Sequence, residues 1–123
     1  MARIRFDFGT LALDAELLGT PTAGLIGNAL PIRAEVLIWG EEVYFEIPVA
    51  AAREADARAL VEPGEIAYWP DGRCIAIGFG RTPISQGNET RLASPCNIFA
   101  RALADVKTLA RVKSGAQVTV TVR

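Results

Sequence analysis

The chain has 123 residues, half of them apolar, and its 13 basic and 14 acidic residues leave a formal net charge of -1. A domain of this length buries about two thirds of the surface that its unfolded chain exposes, so it folds without a disulfide or a metal. The balanced charge offers no basic surface to nucleic acid or to an anionic membrane. No histidine is present, which excludes Ser-His and Cys-His catalytic dyads and His-ligated zinc sites.

The two cysteines, Cys74 and Cys96, lack the CxxC spacing of redox and metal motifs. We therefore predict reduced, buried thiols and a cytoplasmic protein. Residues 1–10 alternate charged and apolar side chains, unlike a signal peptide, and no stretch approaches the roughly 18 apolar residues of a membrane span. We expect one domain over residues 1–123, with no cofactor, no metal and neither nucleic acid nor membrane as a partner.

Alternating apolar residues predict strands at the N-terminus. Residues 3–8 and 11–17 both show a period of two, and Gly9-Thr10 between them permits a tight turn, so the two segments predict a hairpin. Residues 22–30 follow a Thr-Pro pair that supplies an N-cap and a first-turn proline. A short helix is expected there, ending before Pro31.

Two β-rich runs, residues 32–39 and 43–47, are joined by residues 40–42, a length that fits a hairpin or a bulged bend. Residues 49–60 favour a helix by local composition, and a loop with one helical turn is the alternative. A turn is predicted at residues 62–65.

Within "EIAYWPDGRCIAIGFG", residues 65–80, the Pro-Asp-Gly turn predicts two flanking strands. Residues 81–95 have hardly any apolar pattern and predict a long surface loop, a feature that is often functional. After a strand-like run at 97–103 comes a predicted helix within residues 104–115, and the chain ends on the alternating strand 116–123. The apolar face of that helix is expected to contain Leu103, Val106, Leu109 and Ala110.

About eight short strands and two helices, without βαβ alternation, predict a mainly antiparallel sheet. Apolar strands of this kind would expose adhesive edges in an open sheet, and closure into a barrel removes those edges. We therefore expect a closed barrel.

Four segments carry a family resemblance: "WGEEVYF", "GEIAYWPDG", "GFGRTP" and "NIFARAL". In this order they make the chain similar to the small prokaryotic cyclophilin-like proteins of uncharacterised function, from Arg3 to Val122. The resemblance implies a closed eight-stranded antiparallel barrel with a short helix over each end.

The resemblance to catalytic cyclophilins stops at their reactive residues. In those prolyl isomerases an arginine donates a hydrogen bond towards the prolyl nitrogen and lowers an amide rotation barrier of roughly 18 to 20 kcal/mol. The nearest segment here is "YFEIP", residues 44–48, where Glu46 stands near the arginine position and cannot donate while ionised. Ile84 occupies the place of a tryptophan, and the pocket histidine is missing. We expect the scaffold without its chemistry and predict no catalytic residue.

The candidate ligand-binding residues are aromatic and polar side chains near the ends of predicted strands. Glu41 or Glu42 would take an amine or hydroxyl of a ligand, unless their bend is only a solvated turn. Tyr68 and Trp69 point to opposite faces of one strand, so one ring enters the interior, and which one is left open. Arg81 and Asn97 would orient a ligand, with a surface ion pair and a turn-closing amide as the alternatives. The candidate site comprises Trp39, Glu41, Tyr44, Tyr68, Trp69, Phe79, Arg81 and Asn97.

Three hypotheses about function follow from these residues. The leading one is a non-enzymatic barrel that binds a small molecule or a proline-containing peptide at an aromatic rim. The second is residual prolyl isomerase activity, with Arg81 or Arg33 replacing the missing arginine. The third is an interaction module, such as a homodimer formed through the valine-rich last strand or the rim.

Overall fold

The computed structural model describes residues 2–123. Within them it contains ten strands, one α-helix and one 3-10 helix. In chain order these are β1 (Arg3–Asp7), β2 (Ala12–Leu17), α1 (Pro21–Ala29), β3 (Ile32–Glu35), β4 (Leu37–Ile38), β5 (Glu42–Glu46), β6 (Arg58–Val61), β7 (Glu65–Trp69), β8 (Cys74–Gly78), β9 (Thr90–Ala102), the 3-10 helix (Val106–Arg111) and β10 (Gln117–Val122).

The strands form one antiparallel sheet in the order β3-β10-β1-β2-β9-β7-β8-β5-β4, with β6 paired to β9 outside this path. The two ends of that order are consecutive in the chain and meet at Val36, whose N–H donates to the Ala116 carbonyl at 2.8 Å. The sheet is therefore a nearly closed barrel. When β3 and β4 are taken as one bent strand and β6 is set apart, eight strands surround the core, which confirms the predicted mainly β, antiparallel barrel.

The barrel interior is filled by the inward residues of the alternating strands, and both helices add to it. In α1 the side chain of Thr20 accepts a hydrogen bond from the Ala23 N–H at 3.1 Å, so the helix begins at the predicted N-cap and buries Ile26. The 3-10 helix buries Val106 and Leu109 in the same core. Fully buried large side chains of this core include Ile4, Phe6, Leu13, Phe45, Ile66, Tyr68, Ile75, Ile77 and Phe99.

Two predicted segments differ from the structure. Residues 49–60 contain no helix: as in the alternative interpretation, most of the segment is a loop, with a turn at 55–56, and it then enters β6. The predicted loop 81–95 ends earlier, because β9 begins at Thr90. Both errors have one cause, since β6 and the start of β9 pair with each other across a long stretch of sequence and neither has a strong alternation of its own.

The predicted final helix is a six-residue 3-10 helix. With three residues per turn, its buried side chains recur every third position, at Val106, Leu109 and Val112. Leu103 and Ala110, expected on the buried face from a period of 3.6, are exposed.

The last strand has no free edge. β10 pairs with β1 on one side and β3 on the other, so a dimer formed by extending the sheet from β10 would first have to break one of these pairings. No helix within residues 2–123 is both long and apolar enough to cross a membrane.

Candidate functional site

A second, smaller apolar layer lies on the outer face of the barrel wall. The inward positions of β5, β7 and β8 carry mostly large apolar side chains. The outward positions are mixed: the middle strand β8 has small residues there, whereas β5 and β7 also present Glu42, Tyr44 and Trp69. In one row across the wall, Tyr44 is paired with Ala76 and Ala76 with Ala67, and in the next row Glu42 is paired with Gly78. The small side chain of Ala76 leaves space above the sheet.

The strand pair β6 and the first half of β9, residues 90–96, covers this space. Its pairing register jumps between Leu60–Arg91 and Arg58–Cys96, so residues 92–95 bulge out of the ladder. Gly78 permits the close approach of this cover, because a Cβ there would lie 2.5 Å from Cγ2 of Thr90. A compact apolar cluster, Val61, Ala67, Leu92 and Cys96, joins the cover to the wall.

Between wall and cover lies a cavity of about 250 Å³. Three aromatic side chains and one carboxyl group face an otherwise apolar lining, a composition typical of small-molecule sites. We call this cavity the wall pocket. It is lined by Trp39, Glu42, Tyr44, Trp69, Ala76, Leu92, Ala93 and Cys96.

The indole of Trp69 is held in place on two sides. Its Nε1 donates a hydrogen bond to Oγ of Ser94 at 2.7 Å, which links β7 to the bulge of β9. Its ring packs over Gly72, where a Cβ would lie 2.5 Å from Cε3 of the indole. This wall of the pocket is therefore formed before any ligand arrives.

Among residues 2–123, Glu42 provides the one carboxyl group in the lining. Its side chain is buried, with the residue only 5% exposed, and its Oε1 has no hydrogen-bond partner among residues 2–123. Burial disfavours the charged form and raises the pKa of this carboxyl to about 7. A buried polar atom without a partner is costly, and the residue that carries this one lines a cavity, so a ligand group is a candidate for the missing partner.

Glu65, the other buried glutamate, shows how the chain satisfies such a group when no ligand is needed. Its Oε1 accepts from Nη1 of Arg58 at 2.8 Å and from the Glu62 N–H at 2.7 Å. The hydrogen bonds from Arg58 hold the pKa of the Glu65 carboxyl below its usual range. Within residues 2–123, Glu42 forms no ion pair of this kind.

The two cysteines are free and buried, as predicted. Burial, reinforced by nearby carboxylates that include Glu42, raises the pKa of Cys74 to about 11 and that of Cys96 to about 12. Both thiols therefore stay protonated at neutral pH and lack the thiolate that nucleophilic chemistry requires. No group of three or more His, Cys, Asp and Glu within the described part of the chain is placed to hold a metal ion.

Of the eight residues selected from the sequence, the wall pocket brings together three: Trp39, Tyr44 and Trp69. Another three, Glu41, Phe79 and Arg81, line a separate depression beside Lys107. There Glu41 Oε1 accepts from the Arg81 N–H at 3.0 Å, so this carboxylate joins two loops instead of facing the wall pocket.

Tyr68 and Asn97, the remaining two, lie inside the protein. Tyr68 is fully buried in the barrel core, where its hydroxyl donates to the Val49 carbonyl at 2.6 Å and accepts from the Ala51 N–H at 3.2 Å. Asn97 is fully buried, accepts from the Glu54 N–H at 2.8 Å and donates to the Ala52 carbonyl at 2.9 Å. Because these groups are satisfied by the 49–54 loop, both residues are structural. Of the two neighbouring rings, Tyr68 points inwards and Trp69 outwards.

Five lining residues were not among those selected: Glu42, Ala76, Leu92, Ala93 and Cys96. For Glu42 a signal was present, because alternation from Tyr44 puts residue 42 on the same face as the tyrosine and residue 41 on the other. No sequence signal marked Leu92 and Ala93, because they lie where the sequence predicts a loop.

The arginine that the prolyl isomerase mechanism requires has no counterpart in the wall pocket among residues 2–123. Glu46, near the expected arginine position, is exposed at the end of β5, opposite Cys74 in the register. Within the described chain the pocket lining contains no arginine. Arg81 lies in the other depression, and Arg33 is exposed on β3, on a strand that does not contribute to the wall pocket.

Comparison with known proteins agrees with this architecture. Among solved structures, the chain is similar to the hypothetical protein AF2241 from Archaeoglobus fulgidus, with 35% identity, a TM-score of 0.84, and coverage of 98% of this chain and 93% of that one. It is also similar to McbB in complex with tryptophan, with 17% identity, a TM-score of 0.63, and coverage of 98% of this chain and 44% of that one, which shows a shared fold alone. No curated protein matches by sequence. A sequence model described as Cyclophilin-like matches residues 2–121, and the chain therefore belongs to the Cyclophilin-like family.

Proposed function

We propose that this protein binds a small molecule in the wall pocket and performs no catalysis there. One observation carries the proposal: the buried carboxyl group of Glu42, whose Oε1 has no hydrogen-bond partner among residues 2–123, belongs to the lining of a cavity that also contains three aromatic side chains. Sites for small ligands combine an apolar and aromatic lining with few polar groups that fix orientation, and this lining has that composition.

The size of the cavity limits the ligand. At about 250 Å³, it is slightly below the roughly 300 to 1,000 Å³ of typical ligand pockets. A body of one or two rings fits this space, and so does one side chain or one proline of a peptide. McbB was solved with tryptophan, so this amino acid belongs in the set of compounds to be tested.

The residues that line the wall pocket support a binding role without catalysis. Its one thiol, Cys96, is protonated at neutral pH, and the pocket offers no base paired with a nucleophile. The buried reduced cysteines also favour the cytoplasm as the compartment.

The test uses the two tryptophans of the chain, both of which line the pocket. Metabolites, L-tryptophan and proline peptides are screened by thermal shift and by ¹⁵N NMR, in which each indole N–H gives its own signal. We expect a ligand to shift the indole signals of Trp39 and Trp69 and to lose affinity in Ala76→Leu, which fills the pocket floor. Ala12→Leu, on an exposed position of β2, is the matched control. If no compound moves either indole, the proposal fails.

Prolyl isomerase activity remains the alternative from the enzyme class, supported by the family fold. It would need an arginine from outside the wall pocket, because none lines it among residues 2–123. A protease-coupled assay with proline peptides decides between the two: a rate above background would favour isomerase activity.

An interaction module is the third candidate. Sedimentation equilibrium that shows a monomer at high concentration would contradict it.

A further inference from the structure

The unpaired carboxyl group of Glu42 restricts the chemistry of a ligand more narrowly than the pocket size does. The residue is 95% buried, and Oε1 has no donor from residues 2–123 within hydrogen-bond distance. A carboxylate only accepts hydrogen bonds. The strongest donors to it are cationic nitrogens, as Arg58 demonstrates for Glu65 in this same chain.

The aromatic residues of the pocket favour the same charge. The faces of tryptophan and tyrosine rings carry negative electrostatic potential and attract cations, most strongly when the site excludes water. Trp39, Tyr44 and Trp69 supply three such rings around one acid. Neither arginine nor lysine from the described residues lines the cavity, so no cation of the protein occupies this position.

We infer that the ligand carries a protonated primary or secondary amine on a flat apolar body, with an ammonium N–H donating to the carboxyl group of Glu42 and the body packed against Trp39, Tyr44 and Trp69. This inference rests on the proposed function, since it names the class of ligand for the same pocket. A quaternary ammonium would satisfy the rings and leave Oε1 without a donor.

The pH dependence of binding separates an amine from a neutral ligand. The titratable groups around Glu42 are the Cys74 and Cys96 thiols on β8 and β9, which stay protonated near neutral pH, while Glu46 on β5 and Asp71 in the β7–β8 turn are exposed. Because burial raises the Glu42 pKa to about 7, an ammonium ion would bind the ionised form and displace a proton at lower pH. Its affinity should rise by about tenfold per pH unit well below pH 7 and level off above it. A ligand that accepts a hydrogen bond from the protonated acid would show the reverse slope.

The experiment compares amines with alcohols of the same shape: benzylamine with benzyl alcohol, phenethylamine with 2-phenylethanol, and tryptamine with its alcohol. Each is titrated into the intact protein at pH 5.5, 6.5 and 8, with the Trp39 and Trp69 indole signals and calorimetry as readouts. At pH 8 we expect the better amine to bind at least about tenfold tighter than its alcohol, as a charged hydrogen bond and cation–π contact imply. That preference should decrease towards pH 5.5.

Glu42→Gln keeps the shape of the side chain and removes its charge, so it should abolish both the preference for amines and the pH dependence. Glu41→Gln, next to it in sequence and outside the wall pocket, should leave both unchanged. If Glu42→Gln does not fold, the pH dependence of the unaltered protein still decides.

The outcomes distinguish the inference from the proposed function. Alcohols that bind as tightly as their amines, or amines whose affinity falls as pH rises from 5.5 to 8, overturn the inference and leave a small-molecule pocket. If no amine moves either indole, the inference fails, and the proposed function fails with it only if no other screened compound moves them.

Discussion

The inner and outer faces of β5, β7 and β8 differ in how completely they are packed, although they belong to the same strands. On the inner face, large side chains are fully buried, among them Phe45, Tyr68 and Ile75. On the outer face, Ala76 lies in the lining of the wall pocket, which the cover leaves unfilled, whereas Gly78 is in close contact with the cover at Thr90. One face is filled and the other contains a cavity.

The filled inner face contributes mainly to stability, and the outer face with its cavity contributes mainly to ligand binding. Removing atoms from a filled core leaves a void that the protein cannot close, so stability falls. Side chains around an existing cavity have fewer atoms in contact and contribute less to stability, so their loss should mainly affect a ligand. Adjacent residues on one strand therefore allow the two roles to be separated.

The largest expected difference is between Phe45→Ala and Tyr44→Ala, neighbours on β5. Phe45 is fully buried and packs edge to face on Phe6, with ring centroids 6.3 Å apart, so its truncation should cost about 3 to 5 kcal/mol. Tyr44 is half-buried at the cavity, and Tyr44→Ala should cost about 1 kcal/mol while weakening ligand binding. Urea denaturation measures both losses. Equal losses would mean that the outer layer is as tightly packed as the core.

The next effect concerns Glu42 and the pH dependence of stability. Its pKa in the folded protein is raised from 4.5 to about 7, so between these values the folded state binds a proton that the unfolded state has released. Stability from this group is complete below pH 4.5 and decreases as pH rises to about 7, with a total of about 3 kcal/mol. Glu42→Gln should remove this decrease.

Urea denaturation of the unaltered protein and of Glu42→Gln, each at pH 5 and pH 8, measures the change in the free energy of unfolding. The carboxyls whose pKa is lowered, such as Asp14 and Glu65, act in the opposite sense below their usual pKa and are common to both proteins. The difference between the two proteins therefore isolates Glu42. An equal change from pH 5 to pH 8 in the two proteins would show that this acid is solvated or paired in solution.

Asn97→Ala should destabilise the protein without affecting the ligand. The amide holds the 49–54 loop by bonds to Ala52 and Glu54, and it also donates to Oγ1 of Thr22 in α1 at 2.9 Å. Its removal leaves buried partners unsatisfied, at a cost of about 1 to 3 kcal/mol. Denaturation and ligand titration are measured on the same sample. A large loss of affinity with little loss of stability would return Asn97 to the binding site.

These contrasts also explain which features the sequence could predict. Strict alternation in residues 3–8 and 116–123, and the Pro-Asp-Gly turn between β7 and β8, are local signals, and the structure confirms the strands and the turn they predict. β6 and the start of β9 depend on each other across some thirty residues of chain, so local patterns missed them. The strand pair that covers the wall pocket could therefore not be predicted from the sequence.

The site residues show the same limit. Aromatic residues with one polar edge are suited to a half-exposed wall, and Trp39, Tyr44 and Trp69 are found there. Asn97 has the same polar character, and only the fold reveals that the backbone of a loop already satisfies it. A pattern can tell which face a residue takes, whereas its partners depend on segments far away in the chain.

The smallest expected effect is that of Arg81→Ala, which tests whether the two depressions are separate. Among the described residues, the exposed guanidinium donates only to the Ser85 carbonyl, at 3.4 Å, so stability should change by less than about 0.5 kcal/mol. Because Arg81 lines the depression with Glu41 and Lys107, and not the wall pocket, the affinity of a ligand that shifts the Trp69 indole should be unchanged. Titration followed by the indole signals measures it. A several-fold loss would mean that the ligand extends from the wall pocket to the Arg81 loop, and the site would then be larger than the cavity bounded by Trp39.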